Sequence, residues 1–140
     1  MKRFGLFQLG RFYFAIPLLQ LRKIVQDAAA YPLPHLPQSV SAVLIDEEKL
    51  IPLLNLELFF GAKTQPEMMS TGYQVLVETE YGTVALPADL NGKIVAEKRG
   101  SIIHESNSKE AWVVGEFNFQ NIDYKILDIN FLAIEMTQNF

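Results

Sequence analysis

Apolar positions come in short runs, and each run ends at a glycine, a proline or a cluster of charge. This is the pattern of many short strands. Phe4–Leu9 and Phe12–Leu18 flank Gly10-Arg11, which predicts a β-hairpin turning at the glycine. Pro17 suits a strand end, because proline has no N–H to give to a ladder. Leu18–Val25 continues as extended or irregular chain. Residues 31–37, YPLPHLP, hold three prolines and predict a rigid loop, since each proline restricts itself and its predecessor to extended backbone. Val40–Ile45 and Leu50–Leu56 predict two further strands, with Asp46–Lys49 as a four-residue loop between them. Glu57–Phe60 before Gly61 predicts a helical turn ended by the glycine. Residues 62–72 predict an exposed connection.

The second half repeats the theme. Tyr73, Val75 and Val77 alternate with Gln74, Leu76 and Glu78, close to period two with Leu76 as the exception. Glu80-Tyr81-Gly82 is a turn, and Thr83–Pro87 returns. Ile94–Lys98 and Ser101–His104 are short strands, and Glu105–Glu110 is a polar loop. Trp112–Phe119 and Tyr124–Ile129 predict a hairpin across residues 120–123, with a short helix over Phe131–Met136. The letters also echo one another. AIPLLQLRKIV (15–25) and ALPADLNGKIV (85–95) share Ala, Pro, Lys, Ile and Val in one register, and LLNLELF (53–59) echoes ILDINFL (126–132). Chance is one reading, since strand-rich chains share apolar strings. The other is two similar β-units in one domain over 4–137, approximately 4–66 and 70–137, either self-contained or exchanging strands. Short strands at even spacing suit small closed barrels, which have no free edges.

Composition narrows the function classes. The chain has 140 residues, enough for one domain with a real core, and no cysteine, which excludes thiol catalysis and thiolate metal sites. A net charge of −4 argues against nucleic acid as a partner. Arg11, Gln20 and Arg22 interrupt the first apolar residues, so neither a secretory leader nor insertion in a membrane is expected, and a cytoplasmic location is. An apolar fraction of 49% leaves room for surface that faces a partner protein.

Motifs that carry chemistry do not appear. The two histidines, His35 and His104, have no metal partner at helical or hairpin spacing. No HExxH, GxSxG, phosphate-loop or GxGxxG pattern occurs. Neither a metal nor another cofactor is expected. Asp46, Glu47 and Glu48 are consecutive, as if for acid–base work, but they fall at a turn, where water keeps carboxylates ionised. Asp128 and Asn55 hold matching places in the two units, and Asp128 reads as a cap or strand-end acceptor. Trp112 is an interface anchor or core filling. Phe59 and Phe60 are adjacent, so one ring could face a partner.

The order and spacing of FQLGRFYFAIPL (7–18), KIV (23–25), PLPHLPQSVSAVL (32–44), LIPLLNLELFFG (50–61), YQVLVETEYGTVALPADLNGKIV (73–95), VVGEF (113–117) and ILDINFL (126–132) resemble the CheW-like coupling proteins of bacterial chemotaxis. The resemblance implies an all-β fold of two SH3-like five-stranded barrels. It also implies a non-enzymatic adaptor that binds the regulatory domain of a CheA-type histidine kinase and the cytoplasmic tip of a chemoreceptor. A regulator of surface motility, or of another two-component pathway, would look the same. A small β-barrel enzyme using Asp89 and Asp128 is the rival from another class. By position, the resemblance carries partner contact to Val43, Leu44, Glu47, Glu48 and Leu54, beside an apolar groove between the barrels. The family pattern G-V-x-N-x-R-G falls on Ala42–Glu48, so Glu47 and Glu48 stand where arginine and glycine are usual. I-P-V-x-D-L-R falls on Ile51–Glu57, with Asn55 and Glu57 in place of aspartate and arginine. G-L-x-V-D falls on Ala85–Asp89, where Asp89 fits. The expectation is a hairpin tip of reversed charge that redirects or removes a contact.

Overall fold

A computed structural model describes residues 2–32, 34–35, 38–56, 72–89, 92–103 and 111–137. Twelve strands lie among them: β1 (Arg3–Leu9), β2 (Phe12–Pro17), β3 (Leu21–Gln26), β4 (Ala30–Tyr31), β5 (Val40–Asp46), β6 (Lys49–Leu54), β7 (Tyr73–Thr79), β8 (Gly82–Ala88), β9 (Lys93–Ala96), β10 (Ser101–Ile103), β11 (Val113–Phe119) and β12 (Ile122–Leu127). Helix α1 spans Ile129–Thr137, matching the expected terminal helix. Leu18–Gln20 and Glu97–Arg99 form single 3₁₀ turns. The expected helical turn at Glu57–Phe60 lies outside the described residues, as does His104.

Tight turns set the strand limits. Gly10 takes φ 58° between β1 and β2, and Gly82 takes φ 116° between β7 and β8. In the other two hairpins the loops are two residues, not four. Asp46 pairs with Lys49 and Phe119 with Ile122. Glu47 and Glu48 (φ 48° and 67°) and Gln120 and Asn121 (φ 52° and 65°) occupy the left-handed region in succession. That is the type I′ turn, whose twist matches the strands it joins.

The strands form two sheets, ordered β10-β11-β12-β2-β1-β9 and β3-β7-β8-β6-β5-β4. In each, the two outermost strands are successive in the chain. A 3₁₀ turn bends β9 into β10, and residues 27–29 bend β3 into β4. Counting each bent segment once, each sheet wraps into a five-stranded barrel. The central barrel takes β3–β8, and the terminal barrel takes β1, β2 and β9–β12. Gly100 enters the bend under β11, where a Cβ would overlap the Asn118 carbonyl oxygen.

The echo in the letters corresponds to matching positions. Ile24 lies opposite Val75, and Ile94, seventy residues on, lies opposite Gly5. Leu53 pairs with Ala85 in parallel, and Ile126 with Ala15 likewise. The offset is 72 at β4 and β10, where Tyr31 matches Ile103, and 73 by β11 and β12, because the second half's connections before β10 and before β11 are both longer. Each half lends its first hairpin to the other half's barrel.

This exchange explains the unbroken apolar runs. Phe4, Leu6 and Ala15 face the inside of the terminal barrel, whereas Phe7, Phe14 and Ile16 face a core shared by both barrels. Leu76 points into the central barrel with Leu44, Ile51 and Leu53, and its neighbours Val75 and Val77 point into the shared core. Strands buried on both faces lose the period-two signal, so Leu76 only looked like an exception. No helix among the described residues is long and apolar enough to cross a membrane.

Candidate interaction surface

The hairpin β5–β6 carries all five positions named from the sequence, and the fold separates them. Val43, Leu44 and Leu54 are buried, Leu44 inside the central barrel and Leu54 in the shared core. Glu47 and Glu48 are exposed at the turn. Val43, Leu44 and Leu54 lie within the paired strands, whereas Glu47 and Glu48 fall in the turn beyond the last pair, Asp46 and Lys49.

The glutamates at the turn differ in their surroundings. A register shift between Leu21 and Lys23 makes Arg22 the extra residue of a β-bulge, and bulges re-aim side chains. Arg22 Nη1–H donates to Glu78 Oε1 at 2.8 Å, and its Nη2 reaches Glu47 Oε2 at 3.4 Å. Lys23 Nζ lies 2.7 Å from Asp46 Oδ1 and 3.8 Å from Glu47 Oε1. Thr83 Oγ1–H also donates to Glu78 Oε1 at 2.8 Å. The Thr83 and Arg22 hydrogen bonds hold the Glu78 carboxyl below its ordinary range. Glu47 is thus folded back onto two cations, which offsets the expected reversal of charge at that position. Glu48 makes no ion pair among the described residues. Glu57 lies outside them.

Residues opposite one another in antiparallel strands share a face. Ile45 opposes Leu50, Val43 opposes Pro52, and Tyr31 opposes Val43. The outer face of β4–β5–β6 is therefore apolar, with Tyr31 50%, Ile45 55% and Leu50 69% exposed. Leu19 is 99% exposed on the 3₁₀ turn where the chain crosses from β2 of the terminal barrel to β3 of the central one. The sequence reading missed Tyr31, Ile45, Leu50, Leu19 and Arg22. The available signal was that Ile45 and Leu50 flank the turn where the second unit has Asn118 and Asp123.

The carboxylates of the enzymatic rival are both occupied with backbone. Gly10 N–H donates to Asp89 Oδ2 at 2.6 Å, and Asp89 N–H donates to the Gln8 carbonyl at 2.8 Å. Phe131 N–H donates to Asp128 Oδ1 at 3.1 Å, so Asp128 caps α1, as its place in the sequence suggested. Asn55, its counterpart, ties its N–H to the Ser39 carbonyl as Asp128 does to Trp112. Trp112 is buried in the shared core with Lys125 Nζ 5.6 Å from its ring centre, so it is core filling. His35 is exposed at φ 67°. Among the described residues no group of three or more His, Asp or Glu side chains is placed to hold a metal ion.

The two wrapped sheets with a shared core have known relatives. The chain is similar to the crystal structure of scaffolding protein TtCheW from Thermoanaerobacter tengcongensis, with a TM-score of 0.74 and 17% identity over 94% of this chain and 91% of that one. At that identity the likeness speaks for the fold. No curated protein matches the chain in sequence. The profile of the CheW-like domain, however, matches residues 3–132, which hold all twelve described strands and the start of α1, and the chain therefore belongs to the CheW-like domain family.

Proposed function

We propose that the protein is a non-enzymatic signalling adaptor that couples the cytoplasmic tip of a chemoreceptor to the regulatory domain of a CheA-type histidine kinase, and that it works in the cytoplasm. The observation that carries this reading is the family match across residues 3–132. The geometry agrees with it. Asp89 and Asp128 serve backbone N–H groups, and large apolar side chains stand exposed on the central barrel and at the crossing between barrels. An adaptor works by holding two surfaces in fixed relation, and a packed core common to both barrels supplies that rigidity. The tip of β5–β6 is one proposed contact: Glu47 and Glu48 lie at its surface, and buried Val43, Leu44 and Leu54 set its shape.

Calorimetric titration of the full chain with a CheA-type regulatory domain and with a receptor-tip fragment from the same cell tests the reading. Binding of each, and one peak holding all three on gel filtration, is the expected result. Failure to bind either protein would overturn it.

A further inference from the structure

The chain crosses between the barrels twice, and the two crossings are held differently. The second runs from β8 to β9 and is pinned at both ends to the β1–β2 hairpin. Asp89 donates its N–H to the Gln8 carbonyl and accepts the Gly10 N–H on Oδ2. Gly92 lies so close to β1 that a Cβ would overlap the Leu6 carbonyl oxygen. The first crossing runs from β2 to β3 through Leu18–Gln20. Leu19 stands seventy residues before Asp89, in the register that aligns residues 15–25 with 85–95. It is 99% exposed, and among the described residues no hydrogen bond ties it to either barrel. A leucine held wholly in water adds no apolar burial to the folding of a single copy.

Little is needed to straighten this crossing. Pro17 (φ −54°, ψ 133°) and Leu21 (φ −78°, ψ 118°) are already extended on either side of it. The turn between them is closed by one backbone bond, Leu21 N–H to the Leu18 carbonyl, and has no side-chain cap. With that bond broken and Leu18–Gln20 extended, β2 and β3 become one continuous strand. The Cα atoms of Pro17 and Leu21 then stand roughly 14 Å apart, far enough for the two strands to lie in different molecules.

What the crossing carries is a complete insert. The β1–β2 hairpin lies in its sheet between β9 and β12. It pairs Arg3–Leu6 with Lys93–Ala96, and Phe14 and Ala15 with Lys125 and Ile126. Phe4, Leu6 and Ala15 fill the terminal barrel, and Phe7, Phe14 and Ile16 reach the shared core. These contacts are the same whether the hairpin belongs to the chain that supplies β9 and β12 or to another copy of it.

We propose that Leu18–Gln20 is a hinge through which the β1–β2 hairpin enters the terminal barrel of a second copy, so that two chains exchange first hairpins in a two-fold dimer. The two straightened hinges pass each other at the axis, where the Leu19 side chains meet and leave water. The dimer presents every surface of the adaptor twice. The proposal does not depend on the adaptor reading, and its test uses no partner protein, so the two stand or fall separately.

The full chain is refolded from urea at about 1 mM, where a neighbour's hairpin is about as concentrated as the chain's own. A dimer separable from monomer by gel filtration forms. On dilution it reverts no faster than the protein unfolds in the same buffer, because both terminal barrels must open to release the hairpins. The chain has no cysteine, so Arg3→Cys with Ala96→Cys adds one disulfide between opposed residues of β1 and β9 and no other. After oxidation the dimer peak runs as a covalent dimer on a denaturing gel without reductant, and the monomer peak as a single chain. Leu19→Asp lowers the dimer yield of the otherwise unaltered chain by about tenfold or more without lowering the melting temperature of its monomer. Any of four results overturns the proposal: no dimer at that concentration, a dimer that dissociates within the mixing time, disulfides confined to single chains in the dimer peak, or a yield unmoved by Leu19→Asp.

Discussion

Glu48 sits at the second position of a type I′ turn, at φ 67°, and makes no ion pair among the described residues. For an L-residue other than Gly or Asn, left-handed backbone costs about 1–2 kcal/mol. Glycine removes that cost but gives up about 0.5–1 kcal/mol through its freer unfolded chain. Glu48→Gly should therefore stabilise the protein by about 0.5–1 kcal/mol, which for a domain of this size raises Tm by roughly 2–4 °C. Glu47 is a poorer choice, because its replacement also loses the contacts to Arg22 and Lys23. The control is Asn121→Gly at the matching turn position, φ 65°. Asparagine already tolerates this backbone, so the gain there should be smaller. Urea denaturation followed by circular dichroism measures both, and an unchanged m-value certifies that only stability moved. A loss of stability in Glu48→Gly, or an equal gain in Asn121→Gly, would refute the strain argument.

Three further outcomes follow from geometry already described. Gly100→Ala should cost about 1–3 kcal/mol in the same assay, because its Cβ would overlap the Asn118 carbonyl oxygen and come within 2.6 Å of the Phe117 ring. Asp128→Ala should cost about 1 kcal/mol through the lost cap, and Asp128→Asn much less, since the amide oxygen still accepts from Phe131 N–H. Glu78 has its folded-state pKa depressed by Thr83 first and Arg22 second, so its contribution is fully present above the ordinary glutamate value of about 4.3 and is lost as pH falls through the lower folded value. Carboxyl-carbon NMR titration reads this directly: Thr83→Val should move the Glu78 midpoint up more than Arg22→Ala.

Most of the fold was legible because turns announce themselves. Gly10 and Gly82 placed strand ends within a residue or two, the proline-rich segment hid the short strand β4, and the echo in the letters marked positions that match between the two sheets. The two hairpin loops were read too long because Glu47-Glu48 lacks the Asn-Gly signature of a type I′ turn. Gln120-Asn121 carries only half of it. The surface was less legible. Leu44 and Ile45 are neighbours in the chain, yet one lies inside the barrel and the other outside, and which is which depends on register. Glu47 could be read as an unpaired reversal because nothing local links it to Arg22. A bulge and the closing of β3 against β7 bring them together, and neither is written in a short window of sequence.

The loan of hairpins between halves sets an order of events on the ribosome. The central barrel's strands run from Leu21 to Ala88, so it can wrap as soon as that stretch has emerged. The β1–β2 hairpin is made first but must wait for β9–β12, the last of which ends at Leu127. At about 5–20 residues per second that interval lasts several seconds. Throughout it, Phe4, Leu6 and Ala15 lack the strands that later cover them, a window in which a chaperone finds its substrate.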